Sequence, residues 1–251
     1  EKVSRLPEPA GLAGFYLFGS VPEPYTLYQE IRSVPAGSYQ WVDHIGPHAP
    51  VPDFSIAQVW AEAERSIPVP QEELGELVRQ AVLDSVRAHM VADVPVGAFL
   101  SAGIDSGALV GLMAEVIGPA PPPRNQNSPL PWRERGWGEG EYSIQTITLA
   151  FEEFRGTHAD EAPLAEQVAR HFGVSHSIRR VDEQEFRADL PKILADMDQP
   201  SIHGIKAWFV SKAAAEAGLK VAISGLGGDE LFGGYPSFRD IPDWVRLLWL
   251  P

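Results

Sequence analysis

Two glycine-rich segments of the sequence carry acidic residues at positions that suit phosphate chemistry. The first, residues 94–109, reads as a buried strand, a loop of small residues containing Asp105, and the start of a helix. Small residues let backbone N–H groups approach an anion closely, and the following helix adds the positive end of its dipole. An acid in such a loop would repel phosphate unless a cation lay between them. The segment therefore predicts a loop for a metal-bound polyphosphate, although a tight turn with Asp105 or Ser106 as N-cap fits the same residues.

The second segment, residues 221–235, repeats this design. An apolar strand leads into a glycine-rich loop, and Asp229 and Glu230 open the next helix. If both strands belong to one parallel sheet, the two loops lie at the same edge, where such sheets bind ligands. Two acids that face one phosphate site predict a Mg²⁺ ion held by Asp105 and Asp229. Glu230 is either a further acid of this site or a first-turn acid favoured by the helix dipole.

Both segments resemble signatures of a known family. Residues 100–106 (LSAGIDS) look like the pyrophosphate loop of the N-type ATP pyrophosphatases, and residues 224–235 (SGLGGDELFGGY) are similar to the second signature of glutamine-hydrolysing asparagine synthetases. With residues 15–42 ahead of them, their order and spacing resemble that family over most of the chain. The resemblance implies an α/β fold of the adenine nucleotide alpha-hydrolase type, in which helices cover both faces of a parallel sheet. A small helix and hairpin linker region would precede it. The alternating strands and helices of the sequence agree with this fold.

The resemblance also implies a reaction and a role for individual residues. ATP would activate the side-chain carboxylate of aspartate as an acyl-adenylate with release of pyrophosphate, and ammonia derived from glutamine would then displace AMP. The matching residues are, for the pyrophosphate loop, Ser101, Gly103, Asp105 and Ser106; for the nucleoside, Leu100, Leu149, Ser224 and Gly225; for the metal, Asp105 and Asp229; and for catalysis, Asp105, Asp229 and Glu230.

Four residues depart from the family pattern. Ala102 replaces a loop glycine, which is tolerable only if its φ angle is negative. Leu226 occupies a position that is acidic in many asparagine synthetases, and His203 and Lys206 stand where relatives more often carry an acid and a neutral amide. Three readings therefore stay open: a ligase of the asparagine synthetase type, a relative that acts on another carboxylate, and a truncated remnant without activity.

The resemblance also predicts how the chain is organised. Residues 1–66 are expected to be a linker region that follows a missing glutaminase domain, with Trp60 as its anchor. Residues 67–251 are expected to be the N-terminal part of the ATP-binding domain without its C-terminal part, so this fragment alone would be inactive. Residues 119–140 contain six prolines and predict a disordered surface insertion. A lid or docking loop that uses Trp132 and Trp137 is the alternative.

Composition narrows the classes of partner. The net charge of −14 disfavours nucleic acid and anionic membranes, since both require clustered Lys and Arg. The chain has no cysteine, which excludes disulfides, thiolate metal sites and a cysteine nucleophile. No signal peptide is visible, and a cytoplasmic location is expected. By the resemblance, the full-length protein could form a homodimer.

Overall fold

The computed structural model describes residues 3–66, 68–118 and 144–248 of the chain. The predicted insertion at residues 119–140 lies outside these ranges and stays a prediction. The chain divides into two compact units, one built from residues 1–74 and 187–208 and the other from residues 75–186 and 209–251. The predicted division into residues 1–66 and 67–251 remains a prediction.

The first unit contains a short helix and a hairpin, as the sequence predicts. Helix α1 (Pro9–Phe18) starts with a proline and ends at Gly19, whose φ of 74° lies in the left-handed region. Strands β1 (Ser38–Tyr39) and β2 (Val51–Pro52) pair antiparallel. The alternating residues 38–42 (SYQWV) predict a longer strand than β1, which the structure ends at Tyr39.

Helix α2 (Ile56–Glu64) follows the hairpin, and none of its residues is buried. The prediction that Trp60 anchors this region is wrong, because its side chain is 62% exposed. Residues 187–208 belong to the same unit through hydrogen bonds. The Leu27 N–H donates to Gln199 Oε1 at 3.0 Å, and the Ile202 N–H donates to the Gly19 carbonyl at 3.0 Å.

The second unit is built on a four-stranded parallel sheet. Its strands are β3 (Val96–Phe99), β4 (Gln145–Phe151), β5 (Ser175–Val181) and β6 (Val221–Ile223), in the spatial order β5-β4-β3-β6. The chain runs from β3 outward to β4 and β5 and then returns to the other side of β3 with β6. The strand order therefore reverses between β3 and β6, and the carboxyl ends at such a reversal form the ligand-binding crevice of open α/β sheets.

Helices cover both faces of this sheet, which confirms the predicted fold class. The helices from residue 71 onward are α3 (Gln71–His89), α4 (Ile104–Ile117), α5 (Ala162–Phe172), α6 (Glu183–Asp196), α7 (Gly204–Glu216), α8 (Gly228–Phe232) and α9 (Pro236–Leu248). Ala98 packs with residues of α3, α4 and α5, whereas its neighbour Phe99 packs with Ala213 and Ala214 of α7. Successive strand residues point to opposite faces, so these two clusters are the cores of the two faces.

Two predicted helix faces need correction. The spacing of the apolar residues from Leu74 to Met90 predicts one buried face for α3. In the structure Leu74 and Leu77 are each 50% exposed, and the buried residues of the helix are Leu83 and Val86. A 19-residue helix is about 28 Å long, whereas the four-residue strand β3 spans about 13 Å, so much of α3 extends past the sheet.

On α5 the buried face consists of Ala162, Ala165 and Ala169. The spacing of Leu164, Val168 and Phe172 predicts that all three point inward, but Leu164 is 48% exposed. Val168 does pack on the core, whereas Phe172 is 37% exposed, with its ring against Gly111 of α4. Small residues allow α5 to approach the sheet closely, and the larger side chains fill its edges.

Candidate functional site

Residues 100–106, termed the first loop, are held in shape by hydrogen bonds to a buried serine, Ser106. The Ser106 side chain is 8% exposed. Its Oγ accepts a hydrogen bond from the Ser101 N–H at 3.1 Å, and it lies 2.9 Å from Ser101 Oγ and 3.1 Å from the Gly103 carbonyl oxygen. Ser101 Oγ in turn accepts from the Gly103 N–H at 3.1 Å. The two hydroxyls therefore hold the shape of the loop.

The sequence predicts a helix over residues 106–117, but helix α4 begins two residues earlier, at Ile104 within this loop. Its N-cap residue is Gly103, and no side chain caps the helix. The first N–H groups of a helix have no acceptor within the helix, and the helix dipole makes this end positive. Since Gly103 has no side chain that could cover them, these N–H groups are suited to an anion.

Residues 224–230, termed the second loop, follow β6 directly. Gly227 precedes α8 with a φ of 99°, a conformation that side-chain-bearing residues rarely adopt. Gly225 contacts the first loop: a Cβ atom added to it would lie 3.0 Å from the Ser106 nitrogen and 3.1 Å from the Asp105 carbonyl carbon. The two loops are thus in direct backbone contact at the reversal of strand order.

The predicted metal ligands each pack against a glycine of the second segment. A Cβ atom on Gly228 would lie 2.6 Å from both Cγ and Oδ2 of Asp105, and one on Gly234 would lie 1.9 Å from Oδ1 of Asp229. No side chain fits at either glycine without moving a carboxylate. The structure therefore brings the Asp105 carboxylate against the residue that precedes Asp229.

Tyr235 lies with these acids, although its residue type and position in the sequence did not predict a role in the site. Its hydroxyl donates a hydrogen bond to Glu230 Oε1 at 2.9 Å. This bond raises the pKa of Tyr235 above its ordinary value, and burial and the negative charges of Glu230, Asp229 and Asp105 add to the effect. All three predicted acids thus contribute to the raised pKa of the Tyr235 hydroxyl. A pair of glycines just before Tyr235 turns the chain back after α8. This pair is the sequence feature from which Tyr235 could have been predicted as a site residue.

The remaining predicted residues lie on or beside the same strands. Leu100 is 2% exposed, and its carbonyl oxygen accepts from Thr148 Oγ1 at 2.5 Å. Leu149 is partly buried and packs with the cluster on the opposite face of the sheet. Ser224 is exposed, and its Oγ accepts from the Leu226 N–H at 3.1 Å.

Comparison with known families agrees with this geometry. The family model for asparagine synthase matches residues 77–251, well over half of the chain. The chain belongs to the asparagine synthase family. The match includes the central sheet of the second unit and both loops that meet in the structure.

Individual relatives are similar along most of the chain. Asparagine synthetase [glutamine-hydrolyzing] 1 of Bacillus subtilis is 30% identical over 231 residues, which cover 91% of this chain and 31% of the relative. Amidase chry2 of Gibberella zeae is 32% identical over 171 residues, covering 67% and 24%. Asparagine synthetase B of Escherichia coli is 25% identical over 227 residues, covering 86% and 36%. The chain thus spans about a quarter to about a third of the length of these relatives.

Two of the departures from the family pattern can be examined at the site. Alanine is tolerable at residue 102 only if its φ angle is negative. The structure meets this condition, because no described residue other than glycine has a positive φ angle. Leu226, at the position that is acidic in many asparagine synthetases, is 88% exposed in the second loop. Ile104 of the first loop is exposed to the same extent. Each loop of this family member therefore presents a large aliphatic side chain to its surroundings.

Asp105 and Asp229 are the two carboxylates of this site that are candidate ligands for Mg²⁺ beside ATP. Within residues 3–66, 68–118 and 144–248, no three Asp, Glu, His or Cys side chains are grouped so that they could hold a metal ion. Mg²⁺ is commonly held by one or two carboxylates, and phosphate oxygens and water complete its shell. Two carboxylates near an uncapped helix N-terminus fit that mode of binding.

Among the described helices, none has the length and apolar character needed to cross a bilayer.

Proposed function

We propose that this chain is the nucleotide-binding part of an ATP-dependent amide-forming ligase of the asparagine synthetase type. The observation that carries the proposal is the backbone contact between Gly225 and the first loop, beside the packing of Gly228 on the Asp105 carboxylate. Two glycine-rich loops joined in this way at the reversal of strand order form one crevice. Family membership supports the same activity.

In the proposed reaction, a carboxylate oxygen of the acceptor attacks the α-phosphorus of ATP. The bond between that phosphorus and the bridging oxygen breaks, and pyrophosphate leaves with the electron pair. Ammonia then attacks the acyl carbon, AMP leaves, and the amide loses a proton. Negative charge builds on the departing pyrophosphate, so groups that stabilise this charge accelerate the first step.

The residues of the two loops would divide this work. The N–H groups at the start of α4 and the Ser101 hydroxyl would bind the pyrophosphate, while Ser106 keeps the loop in shape. Asp105 and Asp229 would hold Mg²⁺, which neutralises phosphate charge when bound. Tyr235 would orient the Glu230 carboxylate through their hydrogen bond. The nucleoside would lie beside the residues that match the family's adenosine contacts, Leu100, Leu149, Ser224 and Gly225.

The acceptor would be aspartate, with ammonia supplied from glutamine, and a cytoplasmic homodimer completes the proposal. A second candidate is a related amidotransferase that acts on a different carboxylate. It is favoured by Leu226, which leaves an aliphatic side chain at a position that is acidic in many asparagine synthetases. The similarity to Amidase chry2 points in the same direction.

Two measurements test the proposal. Mg-ATP should raise the melting temperature of this chain, and Asp105→Asn and Asp229→Asn should each remove most of that increase. Asp84→Asn is the matched control, because Asp84 is an exposed α3 acid whose partner is Arg87. If Mg-ATP has no effect on the parent chain, or if the loop variants respond like the control, the site does not bind Mg-ATP and the inactive-remnant reading gains.

The acceptor is tested by exchange of labelled pyrophosphate into ATP, measured with this chain and with a longer protein that contains it. Exchange that requires aspartate supports the asparagine synthetase reaction. Exchange that requires another carboxylate supports the second candidate.

A further inference from the structure

A half-buried histidine on β5 connects, through one threonine, to the first loop. In the parallel register, His176 lies opposite Thr146 of β4. Its Nδ1 is 2.9 Å from Thr146 Oγ1, and its Nε2 is 3.4 Å from Thr148 Oγ1. Thr148 in turn donates to the carbonyl oxygen of Leu100, where the first loop begins. The sequence analysis assigned no role to this histidine.

The protons of this network can be assigned from its acceptors. Thr146 Oγ1 donates to the Ser175 carbonyl at 2.9 Å, and Thr148 Oγ1 donates to the Leu100 carbonyl at 2.5 Å. A hydroxyl has one proton, so each threonine presents only lone pairs to the imidazole. The short contact to Thr146 therefore requires a proton on Nδ1. In the neutral ring Nε2 carries a lone pair, and its 3.4 Å separation from Thr148 is longer than an ordinary hydrogen bond.

Protonation would change this arrangement at one atom. A proton on Nε2 would turn the long contact with Thr148 into a charge-assisted hydrogen bond, which is shorter and stronger. It would also draw Thr148, and with it the Leu100 carbonyl, toward β5.

We propose that His176 is a positioning residue for the first loop, and that its protonation, transmitted through Thr148, makes the conformation of that loop and its affinity for Mg-ATP depend on pH. The part concerning Mg-ATP rests on the proposed function. The part concerning the loop does not.

The surroundings of His176 set the pH range. Burial lowers the pKa of His176 below its ordinary value, and the negative charge of Glu166 on α5 opposes this shift. Strand β4 contributes only the two threonines to this side of the ring, and Arg180, further along β5, is paired with Asp160. The ring is therefore neutral at pH 7 and gains its proton only below the ordinary pKa of a histidine. Since a bound polyanion favours a nearby cation, Mg-ATP and the proton should bind cooperatively.

The ligand-free part is tested by NMR on the chain from pH 7.5 to 5. The amide resonances of Leu100, Ser101 and Gly103 should titrate with the same midpoint as the His176 ring. Thr148→Val should abolish this loop titration, whereas Thr148→Ser, which keeps the hydroxyl, should retain it. His89→Gln is the control, because His89 is an exposed histidine on α3. Loop amides that do not follow the ring, or that titrate equally in both Thr148 variants, would overturn the proposal.

The ligand part compares Mg-ATP affinity of the parent chain and His176→Gln at each pH, so that the titration of ATP itself cancels. The parent should gain about fivefold in relative affinity between pH 7.5 and 5.5, at the lower end of ordinary coupling between sites. A constant ratio would refute the coupling. If the parent binds no Mg-ATP at any pH while the loop amides still titrate, the proposed function fails and the link between His176 and the loop stands. If Thr148→Val does not fold, Thr146→Val provides the second variant. This substitution removes the acceptor of the Nδ1 proton. The titration midpoints of the His176 ring and of the loop amides should therefore shift together.

Discussion

The substitution Gly228→Ala tests the site most directly, because it places one methyl group against the Asp105 carboxylate. The new Cβ atom would lie 2.6 Å from Asp105 Oδ2, whereas ordinary contact begins at 3.4 Å. The carboxylate must therefore move by about 0.8 Å. That is about four times the 0.2 Å tolerance of a metal–ligand distance. The carboxylate can move by rotating about its own side-chain bonds, so we expect a small change in folding free energy and a large loss of metal binding.

The assay is the Mg²⁺ concentration that gives half-maximal binding of ATP, measured for the parent chain, Gly228→Ala, Asp105→Asn and the double variant. We expect Gly228→Ala to raise this concentration about tenfold, which corresponds to about 1.4 kcal/mol. Because both single substitutions act on one carboxylate, the double variant should bind little worse than Asp105→Asn alone. Gly107→Ala is the matched control, since its Cβ would have Val168 Cγ1, at 3.8 Å, as its nearest neighbour.

Two results would refute the reasoning. If Gly228→Ala binds Mg-ATP like the parent, Asp105 does not hold the metal in the observed position. If the two substitutions add fully in the double variant, Gly228 acts through some other contact. A large fall in melting temperature would show that the backbone moves, in place of the side chain.

Three further substitutions are predicted. Gly225→Ala should destabilise the chain by about 1–3 kcal/mol in urea unfolding, because its Cβ meets backbone atoms of the first loop that cannot rotate away; unchanged stability would mean that the loops do not touch. Ser106→Ala should cost about 1–2 kcal/mol and weaken Mg-ATP binding, since it leaves the Ser101 N–H without its acceptor; an unaltered affinity would show that the hydroxyl does not shape the loop. Glu185→Gln should cost about 1–2 kcal/mol at pH 7, because Glu185 accepts hydrogen bonds from Arg179 and Lys212 in a partly exposed cluster. The hydrogen bond from Arg179 lowers the pKa of Glu185, so this stabilisation is complete above its ordinary value of 4.5 and is lost as pH falls through the lower folded value. The free energy of unfolding, measured in urea, should therefore fall less steeply between pH 7 and 3 for Glu185→Gln than for the parent. Asp84→Asn is the exposed control.

The sheet and both loops could be predicted because their signals are local. An apolar strand, small loop residues and a helix start follow one another within each segment, and parallel strands leave little choice about where their ends meet. Asp182 and Glu185 have the spacing of a capping box, which is also a local signal, and the Glu185 N–H does donate to Asp182 Oδ1 at 2.7 Å.

The errors concern how far an element extends and what lies opposite it. The stripe on α3 shows which face is apolar, but the exposed Leu77 depends on the length of the sheet beneath it. The partners of Glu185 were equally hidden: Arg179 and Lys212 lie on β5 and α7, and only the folded chain brings them together. Trp60 illustrates the same limit, because a large aromatic ring predicts burial without naming a partner.

The glycines of the second loop explain why this signature can be recognised without an alignment. Gly227 is required by its own backbone conformation, but Gly225 and Gly228 are required by residues that lie more than a hundred positions earlier in the chain. Gly228 is glycine because Asp105 occupies the space of its missing side chain. The motif therefore records a tertiary contact between two loops as well as a turn. It follows that Asp105→Gly should relieve the steric restriction at residue 228, so that even the small stability cost of Gly228→Ala disappears in that background, while Gly227→Ala remains destabilising in both. A restriction at residue 228 that persisted without the carboxylate would place its cause in the second loop itself.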